Sequence, residues 1–204
     1  PFAAPALVAP VAAALAAIAA LAVAACQERD PVRAACDRGD PTACFELGDR
    51  LRRGGDAEQR RARDVLARAC DLGGADGCTA LGLMHHRAEG GKRDPRAARA
   101  LYRRGCDAGS GFGCLALGMT FVNGMDVERD LGAGRPFVSR ACELEVAEAC
   151  AVLSLLDACG GGGAEACARL DAIRDASARE QGPASAREQG PASAREQSPA
   201  SERE

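Results

Sequence analysis

Cysteine is the residue type whose number and spacing could do chemistry in this chain. The 204 residues include 11 cysteines, and all but Cys26 fall into pairs separated by seven residues. Paired cysteines form disulfides in an oxidising compartment or bind metal in a reducing one. Zinc sites favour closer pairs such as Cys-x2-Cys, and the chain has none. We therefore predict five disulfides and no metal site. The pairs are Cys36–Cys44, Cys70–Cys78, Cys106–Cys114, Cys142–Cys150 and Cys159–Cys167.

The remaining reactive side chains lack the partners that catalysis needs. The only lysine is Lys92, and Glu89 stands three residues before it, so the Ser-x-x-Lys motif of serine β-lactamases is absent. His85 and His86 are neighbours, and neighbours on a helix point to different faces, which makes them a poor metal pair. No glycine-rich phosphate loop fits a strand-to-helix turn. We predict no catalytic residue and no cofactor.

The cysteine pairs mark a repeat. The first four begin at residues 36, 70, 106 and 142, which gives a period of about 35 residues, within the range of helical repeats. In each of the first four pairs, a leucine stands three positions after the second cysteine. In three of these four units, glycine follows that leucine. Asp94-Pro95 has the form of a helix start, with a capping side chain and proline at the first helical position. We therefore predict that each unit forms two helices. We call the one carrying the second cysteine of a pair the A helix, and the one ending with the first cysteine of the next pair the B helix.

Glycine after the first cysteine of three pairs predicts a tight turn from helix B to the next helix A. Gly39, Gly73 and Gly109 lie three residues after the first cysteine, where a helix C-terminal glycine belongs. Antiparallel helices at such a turn can bring Cα atoms within ~6 Å, as a disulfide requires. Each bridge closes a short loop worth about 2.6 kcal/mol in the chain-entropy model. Aromatic residues make up 3% of the chain, which disfavours an all-β fold. We predict an all-α solenoid of helix–turn–helix repeats stapled by disulfides.

The units share one order of residues: a cysteine, an acidic residue and a turn glycine, then the second cysteine and Leu-Gly. This pattern resembles the Sel-1-like repeat, in particular its cysteine-rich secreted bacterial branch. The resemblance covers residues 30–158. It implies a right-handed solenoid related to tetratricopeptide arrays that binds proteins or cell-envelope ligands. The last unit departs from the pattern, because Glu145 replaces the turn glycine and Ser154 the helix glycine. We expect the last unit's own Cys159–Cys167 pair to clamp a short closing hairpin that caps the C-terminal end.

The first 25 residues predict export. Residues 2–25 carry no charge and are typical of a secretory signal peptide, although we expect the true start to lie upstream of Pro1. Val23-Ala24-Ala25-Cys26 resembles the lipobox of bacterial lipoproteins, which implies that Cys26 is lipidated and that residues 26–29 link the lipid to the solenoid. Gln27 in place of aspartate implies the outer membrane by the family rule. Ordinary cleavage with secretion, or an uncleaved membrane helix, are the alternatives.

Composition divides the rest of the chain. Residues 30–176 form the predicted solenoid, and the polar Ser-Ala-Arg-Glu-Gln-Gly-Pro-Ala octads of residues 177–204 predict a disordered tail, either inert or a spacer. The net charge of −3 argues against a nucleic-acid partner. Residues 29–104 are net basic and residues 105–176 net acidic, so the two halves could meet partners of opposite charge or could simply be solvated surface.

The positions six to nine residues past each second cysteine change from unit to unit, whereas the framework residues repeat. We predict that they line the concave face and bind a protein partner or an envelope ligand, with Leu51, Met84 and Val122 packing in the core instead. An enzyme acting on β-lactams or peptidoglycan, and a structural envelope spacer, are the alternative functions. The predicted contact residues are Arg50, Arg52, Arg53, His85, His86, Arg87, Phe121 and Asn123.

Overall fold

A computed structural model describes residues 30–181. The predicted signal peptide, the linker, Cys26 and residues 182–204 of the tail lie outside the described residues. Residues 30–181 form nine helices and no strand, so the predicted all-α solenoid is confirmed. The helices are α1 Pro31–Asp37, α2 Pro41–Arg52, α3 Asp56–Asp71, α4 Ala75–Arg87, α5 Pro95–Asp107, α6 Gly111–Asn123, α7 Leu131–Glu143, α8 Ala147–Gly160 and α9 Ala164–Gln181.

Capping residues fix where several helices begin. Asp40 accepts hydrogen bonds from the backbone N–H groups of Thr42 and Ala43, and Pro41 occupies the first position of α2. Asp94 caps α5 in the same way, through the N–H of Ala97. These caps satisfy N–H groups that have no partner inside the helix. The helix start predicted from Asp94-Pro95 is therefore the observed one.

The A helices α2, α4, α6 and α8 and the B helices α3, α5 and α7 stack in a regular order. Each B helix packs against the A helix before it and the A helix after it, and α4 also contacts both α2 and α6. The core lies along these contacts, with Leu66, Met84, Leu117 and Val138 fully buried. The short α1 supplies a partial B helix at the N-terminal end, where it packs on α2.

The Leu-Gly step lets each A helix approach its B helix closely. Gly48, Gly82 and Gly118 face side chains of the following helix, and a methyl group at any of them would lie 2.5–2.8 Å from such a side chain. Ser154 takes this place in α8 and is exposed. No B helix covers it within the described residues, because a tight turn joins α8 directly to α9. The B-helix side chains that face the glycines are Leu66, Tyr102 and Val138.

The turns from helix B to helix A have the predicted geometry. Gly39, Gly73 and Gly109 adopt φ values of +95°, +86° and +97°, a region that residues other than glycine rarely adopt. Glu145 follows α7 with φ +63°, so the fourth turn keeps this conformation without glycine. All five cysteine pairs lie at disulfide-bonding distance, with Cα–Cα separations of 4.4–4.8 Å.

The C-terminal end differs from the prediction in two respects. The closing hairpin of α8 and α9 is not short, because α9 has 18 residues. Helix α9 also reaches Gln181, inside the segment 177–204 predicted to be disordered, because Ser-Ala-Arg-Glu-Gln contains good helix formers until Gly182-Pro183 follows in the sequence. Leu170 of α9 is fully buried against the core. Helix α9 also contacts α6, so it covers the end of the stack.

Candidate binding surface on the A helices

The first A helix carries arginines that are paired rather than free. Arg50 forms an ion pair with Asp30 at 3.1 Å. Arg52 binds Asp49 at 3.0 Å and reaches Glu89, in the loop of the next unit, at 3.4 Å. The side chain of Arg52 is only 23% exposed, so it joins two repeats as well as facing the surface.

The other two predicted arginines share the same carboxylates. Arg53 pairs with Asp49, and Arg87 lies 3.9 Å from Glu89. Burial opposes ionisation of Asp49, but hydrogen bonds from Arg52 and Arg53 hold the pKa of its carboxyl below the ordinary value. Four arginines therefore face three carboxylates, and this part of the predicted contact surface has a mixed charge with a small positive excess.

The two histidines are half-buried at the end of α4. Burial lowers the pKa of His85, and the positive charge of Arg63 lowers it further. Burial also lowers the pKa of His86, with Arg93 acting in the same direction and Asp126 opposing both. Both imidazoles are thus neutral near pH 7. Within residues 30–181 no group of three or more potential ligands is placed to hold a metal.

The third A helix contributes less surface than predicted. Phe121 stacks on Phe137 of α7, with ring centroids 6.0 Å apart, and the guanidinium of Arg103 lies 5.3 Å from the Phe137 ring. Asn123 is 8% exposed, so its side chain is not presented to a partner. Phe121 remains half-buried at the edge of the core. The predicted contact residues that are exposed therefore lie on the first two A helices.

The predicted core members at these positions are in the core. Met84 and Val122 are fully buried. Leu51 is half-buried and packs against the hydrophobic clusters of the first two units. The variable positions therefore divide between core and surface, as the sequence analysis expected.

Arg63 of α3 is a structural residue that the sequence analysis missed. Its Nε donates to the carbonyl oxygen of Glu89 at 2.7 Å, and its Nη2 donates to the carbonyls of Met84 at 3.2 Å and Lys92 at 3.3 Å. These bonds tie Arg63 to backbone carbonyls at and after the end of α4. Arg63 therefore fixes the loop that carries Glu89, and with it the position of Arg52.

A second set of missed arginines joins successive repeats at the tight turns. Arg68 donates to the carbonyl of Asp37 at 2.9 Å, and Arg104 binds the carboxylate of Asp71 at 3.1 Å. Both arginines stand two residues before the first cysteine of a pair, and both acids follow the first cysteine of the preceding pair. This constant phase was the signal available in the sequence.

The described surface includes the following two cavities. One of about 300 Å³ lies between the loop after α6 and helix α9, lined by Arg93, Asp126 and Arg174 among others. One of about 240 Å³ lies at the N-terminal end, between α1, α2 and α3. The first volume is at the lower limit of the range of about 300–1,000 Å³ for small-molecule sites, and the second is below it. Neither is lined by a histidine or by an unpaired cysteine that could act as a base or nucleophile.

Comparison with known proteins decides the family. The model of the Sel1 repeat matches residues 41–74, 75–110 and 112–145, about half of the chain. This chain belongs to the Sel1 repeat family. Each of the three matched segments combines an A helix with the whole of the following B helix, and only Gly111 of α6 falls outside them. The observed units are therefore Sel1 repeats.

Solved structures share this Sel1 fold. A Sel1 repeat protein from Oxalobacter formigenes is 25% identical, with a TM-score of 0.53, and the match covers 61% of this chain and 95% of that one. An SLR-fold protein, c5321, a protective antigen of uropathogenic Escherichia coli, is 19% identical, with a TM-score of 0.56 over 76% of this chain and 34% of that one. Cysteine-rich protein B of Helicobacter pylori is 22% identical, with a TM-score of 0.48, over 62% and 97% of the two chains. No curated protein matches.

Sel1 repeat proteins commonly mediate protein–protein interaction and typically act as non-catalytic scaffolds. The five cysteine pairs favour an extracytoplasmic location, because disulfides persist in oxidising compartments. In the described part of the chain, no helix is both long and apolar enough to cross a membrane.

Proposed function

We propose that this Sel1 repeat protein captures a protein partner on the concave face formed by its A helices. One observation carries the proposal. The C-terminal ends of α2 and α4 present Arg50, Arg53 and Arg87 as exposed side chains, on a scaffold whose core and turn residues repeat. Constant residues build the units, so the variable exposed ones are free to determine which partner binds.

The ion pairs define the chemistry of this partner. Asp30, Asp49 and Glu89 already hold the arginines in place, and exposed pairs of this kind contribute about 0–1 kcal/mol to stability. An acidic segment of a partner can therefore exchange with these carboxylates at little energetic cost. The arginine excess then steers association more than it sets final affinity.

The experiment is site-specific photo-crosslinking in cells that make the protein. A photoreactive amino acid replaces Arg53 on the A helix or Arg60 on the outer B helix; both positions are exposed, and Arg60 is the matched control. Adducts at position 53 to one recurrent partner, absent at position 60, are expected. The same adducts at position 60 alone would place the binding surface on the B helices.

A charge-reversal pair tests the electrostatic part. Arg50→Glu with Arg53→Glu should slow capture of the crosslinked partner and weaken its salt dependence, whereas Arg60→Glu should leave both unchanged. Unaltered kinetics in the double variant would contradict an acidic partner. Turnover of nitrocefin above background by the purified protein would instead favour the enzyme alternative, and the absence of any adduct would favour an envelope spacer.

We further propose that lipidation of Cys26 anchors the mature protein to the cell envelope, on the outer membrane. The lipobox-like Val23-Ala24-Ala25-Cys26 supports this, and so do cysteine pairs that need an oxidising compartment. Several acyl chains at one residue give stable anchoring, whereas one chain binds reversibly. Cys26→Ala should release soluble protein from washed membranes. A variant that still pellets with membranes would contradict lipidation.

A further inference from the structure

The tight-turn edge of the solenoid carries the exposed large apolar side chains of the described residues. Leu72, Phe112 and Leu144 are 43%, 62% and 41% exposed, and each lies in or beside a turn between a B helix and the next A helix. Phe112 and Leu144 belong to adjacent turns that touch, because a Cβ on Gly111 would lie 3.2 Å from Leu144 Cβ. We call Phe112 and Leu144 the turn-edge patch.

Carboxylates of the same two turns, and of the helical turn that follows Leu144, lack neutralising partners. The side chains of Asp107, Glu145 and Glu148 are exposed and form no ion pair or hydrogen bond within residues 30–181. Arg140 has the phase of Arg68 and Arg104 relative to the cysteines, yet it makes no such pair with Asp107.

The earlier turns show the contrast. Asp37 and Asp71 are the equivalents of Asp107, and Arg68 and Arg104 neutralise them. Leu72 is therefore an exposed apolar residue beside paired acids. The turn-edge patch is an exposed apolar pair beside unpaired acids, and only it combines the two features along the described edge.

This combination selects one class of occupant. Anionic lipid surfaces and nucleic-acid phosphates attract basic residues and would be repelled by these carboxylates. An arginine side chain suits the patch in two ways, since it pairs with carboxylates and also stacks on an aromatic ring such as Phe112. An apolar side chain next to it would cover Leu144. Arginine and aromatic residues are the anchors that protein interfaces favour.

We propose that the turn-edge patch docks a basic protein segment that carries an apolar or aromatic side chain, at a surface separate from the concave face. Phe112 and Leu144 supply the apolar contact, while Asp107, Glu145 and Glu148 select the positive charge. The protein would then hold two partners at once, an acidic one on the A helices and a basic one at the turns.

The test uses a fluorescent synthetic peptide in which arginine alternates with leucine and phenylalanine. Two control peptides replace its arginines by glutamate or its apolar residues by serine. Fluorescence anisotropy with the full chain should show binding of the first peptide that weakens with salt, and little binding of either control. Equal binding of the serine peptide would show charge attraction alone and would overturn the proposal.

Variants of the protein locate the site. Phe112→Ser should weaken peptide binding about tenfold, the loss of one well-buried anchor. Glu148→Gln should weaken binding less and reduce its salt dependence. Leu72→Ser is the control, because Leu72 is also an exposed apolar residue on the same edge, and it should change nothing. An unchanged melting midpoint of Phe112→Ser would show that the fold is intact, as expected for an exposed residue.

Other outcomes would overturn the proposal. Equal effects of Phe112→Ser and Leu72→Ser would place the peptide elsewhere. Concentration-dependent self-association that Phe112→Ser abolishes would identify a second copy of the chain as the occupant. Binding of phosphatidylserine vesicles that needs Phe112 would identify a membrane. The variants Arg50→Glu and Arg53→Glu should leave peptide binding intact, so failure here is distinguishable from failure of the concave-face proposal.

Discussion

Gly118→Ala tests whether the Leu-Gly step determines how closely the helices pack. A methyl group at Gly118 would lie 2.7 Å from Val138 Cγ2 and 3.1 Å from both the Gly134 carbonyl oxygen and the Val138 nitrogen. The side chain of Val138 can adjust, but the two backbone atoms move only if α7 moves away from α6. Both helices belong to the largest core cluster, so this movement loosens packing that is shared with the neighbouring helices.

Two opposing effects determine how far Gly118→Ala changes the free energy of unfolding. Overpacking a core by one methyl group costs about 1–3 kcal/mol, while alanine in a helix interior is favoured over glycine by about 1 kcal/mol. Because the close contacts include backbone atoms, we expect the upper part of the first range and a net loss of about 1–2 kcal/mol. For a domain of this size that lowers the melting midpoint by roughly 2–8 °C.

The assay is thermal unfolding followed by far-ultraviolet circular dichroism, with the disulfides intact. Ser154→Ala is the matched control, because Ser154 holds the same place in α8 and is exposed, so its midpoint should stay the same or rise slightly. Repeating Gly118→Ala in a Val138→Ala background separates the two contacts, since any remaining loss comes from the backbone atoms. A midpoint for Gly118→Ala at or above that of the unmodified protein would refute the close-packing argument.

Three further predictions concern bonds and charges. Arg104→Ala should lower the free energy of unfolding by no more than about 1 kcal/mol, because its ion pair with Asp71 is largely exposed. Denaturant unfolding of Arg104→Ala, Asp71→Ala and the double variant should show that the two effects are coupled. Purely additive effects would contradict the ion pair. Burial lowers the pKa of His85 and His86, so near their unfolded pKa the folded state binds fewer protons than the unfolded state. Stability should therefore fall as pH drops below about 6.5, and a pH series in which His85→Gln with His86→Gln retains the full slope would assign the effect to other groups. Non-reducing peptide mapping should find no free thiol among the ten paired cysteines, and any long-range link would contradict the repeat. The expected disulfides are Cys36–Cys44, Cys70–Cys78, Cys106–Cys114, Cys142–Cys150 and Cys159–Cys167.

Local rules made the fold predictable. The cysteine period, the Asp-Pro helix starts and the turn glycines depend on residues close together in sequence, and each depends on one helix end or one turn. The same unit then repeats, so a correct description of one unit describes its neighbours. Glu145 shows where such rules weaken, because the cysteine pair and the packed helices around it hold a left-handed turn that its side chain disfavours.

The candidate site was predicted only in part, because side-chain partners come from other repeats. Arg52 looked like a free positive charge, but Glu89 approaches it from the next unit. Asn123 looked like a surface residue, but the neighbouring helices bury it. These partners lie many residues away, and the hydrophobic period alone does not give their distance or direction.

The sequence by itself therefore determined that this chain is a stack of helix pairs with a cysteine bridge at each turn, since local propensities and a fixed period are enough for that. The tertiary structure decided which charges are neutralised and which apolar residues stay exposed. Arg68 and Arg104 pair with acids of the preceding turn, whereas Arg140 does not reach Asp107, although all three have the same phase. Arginines with the same spacing in sequence therefore differ in their contacts, because an ion pair forms only where the two charged groups lie within about 4 Å of each other.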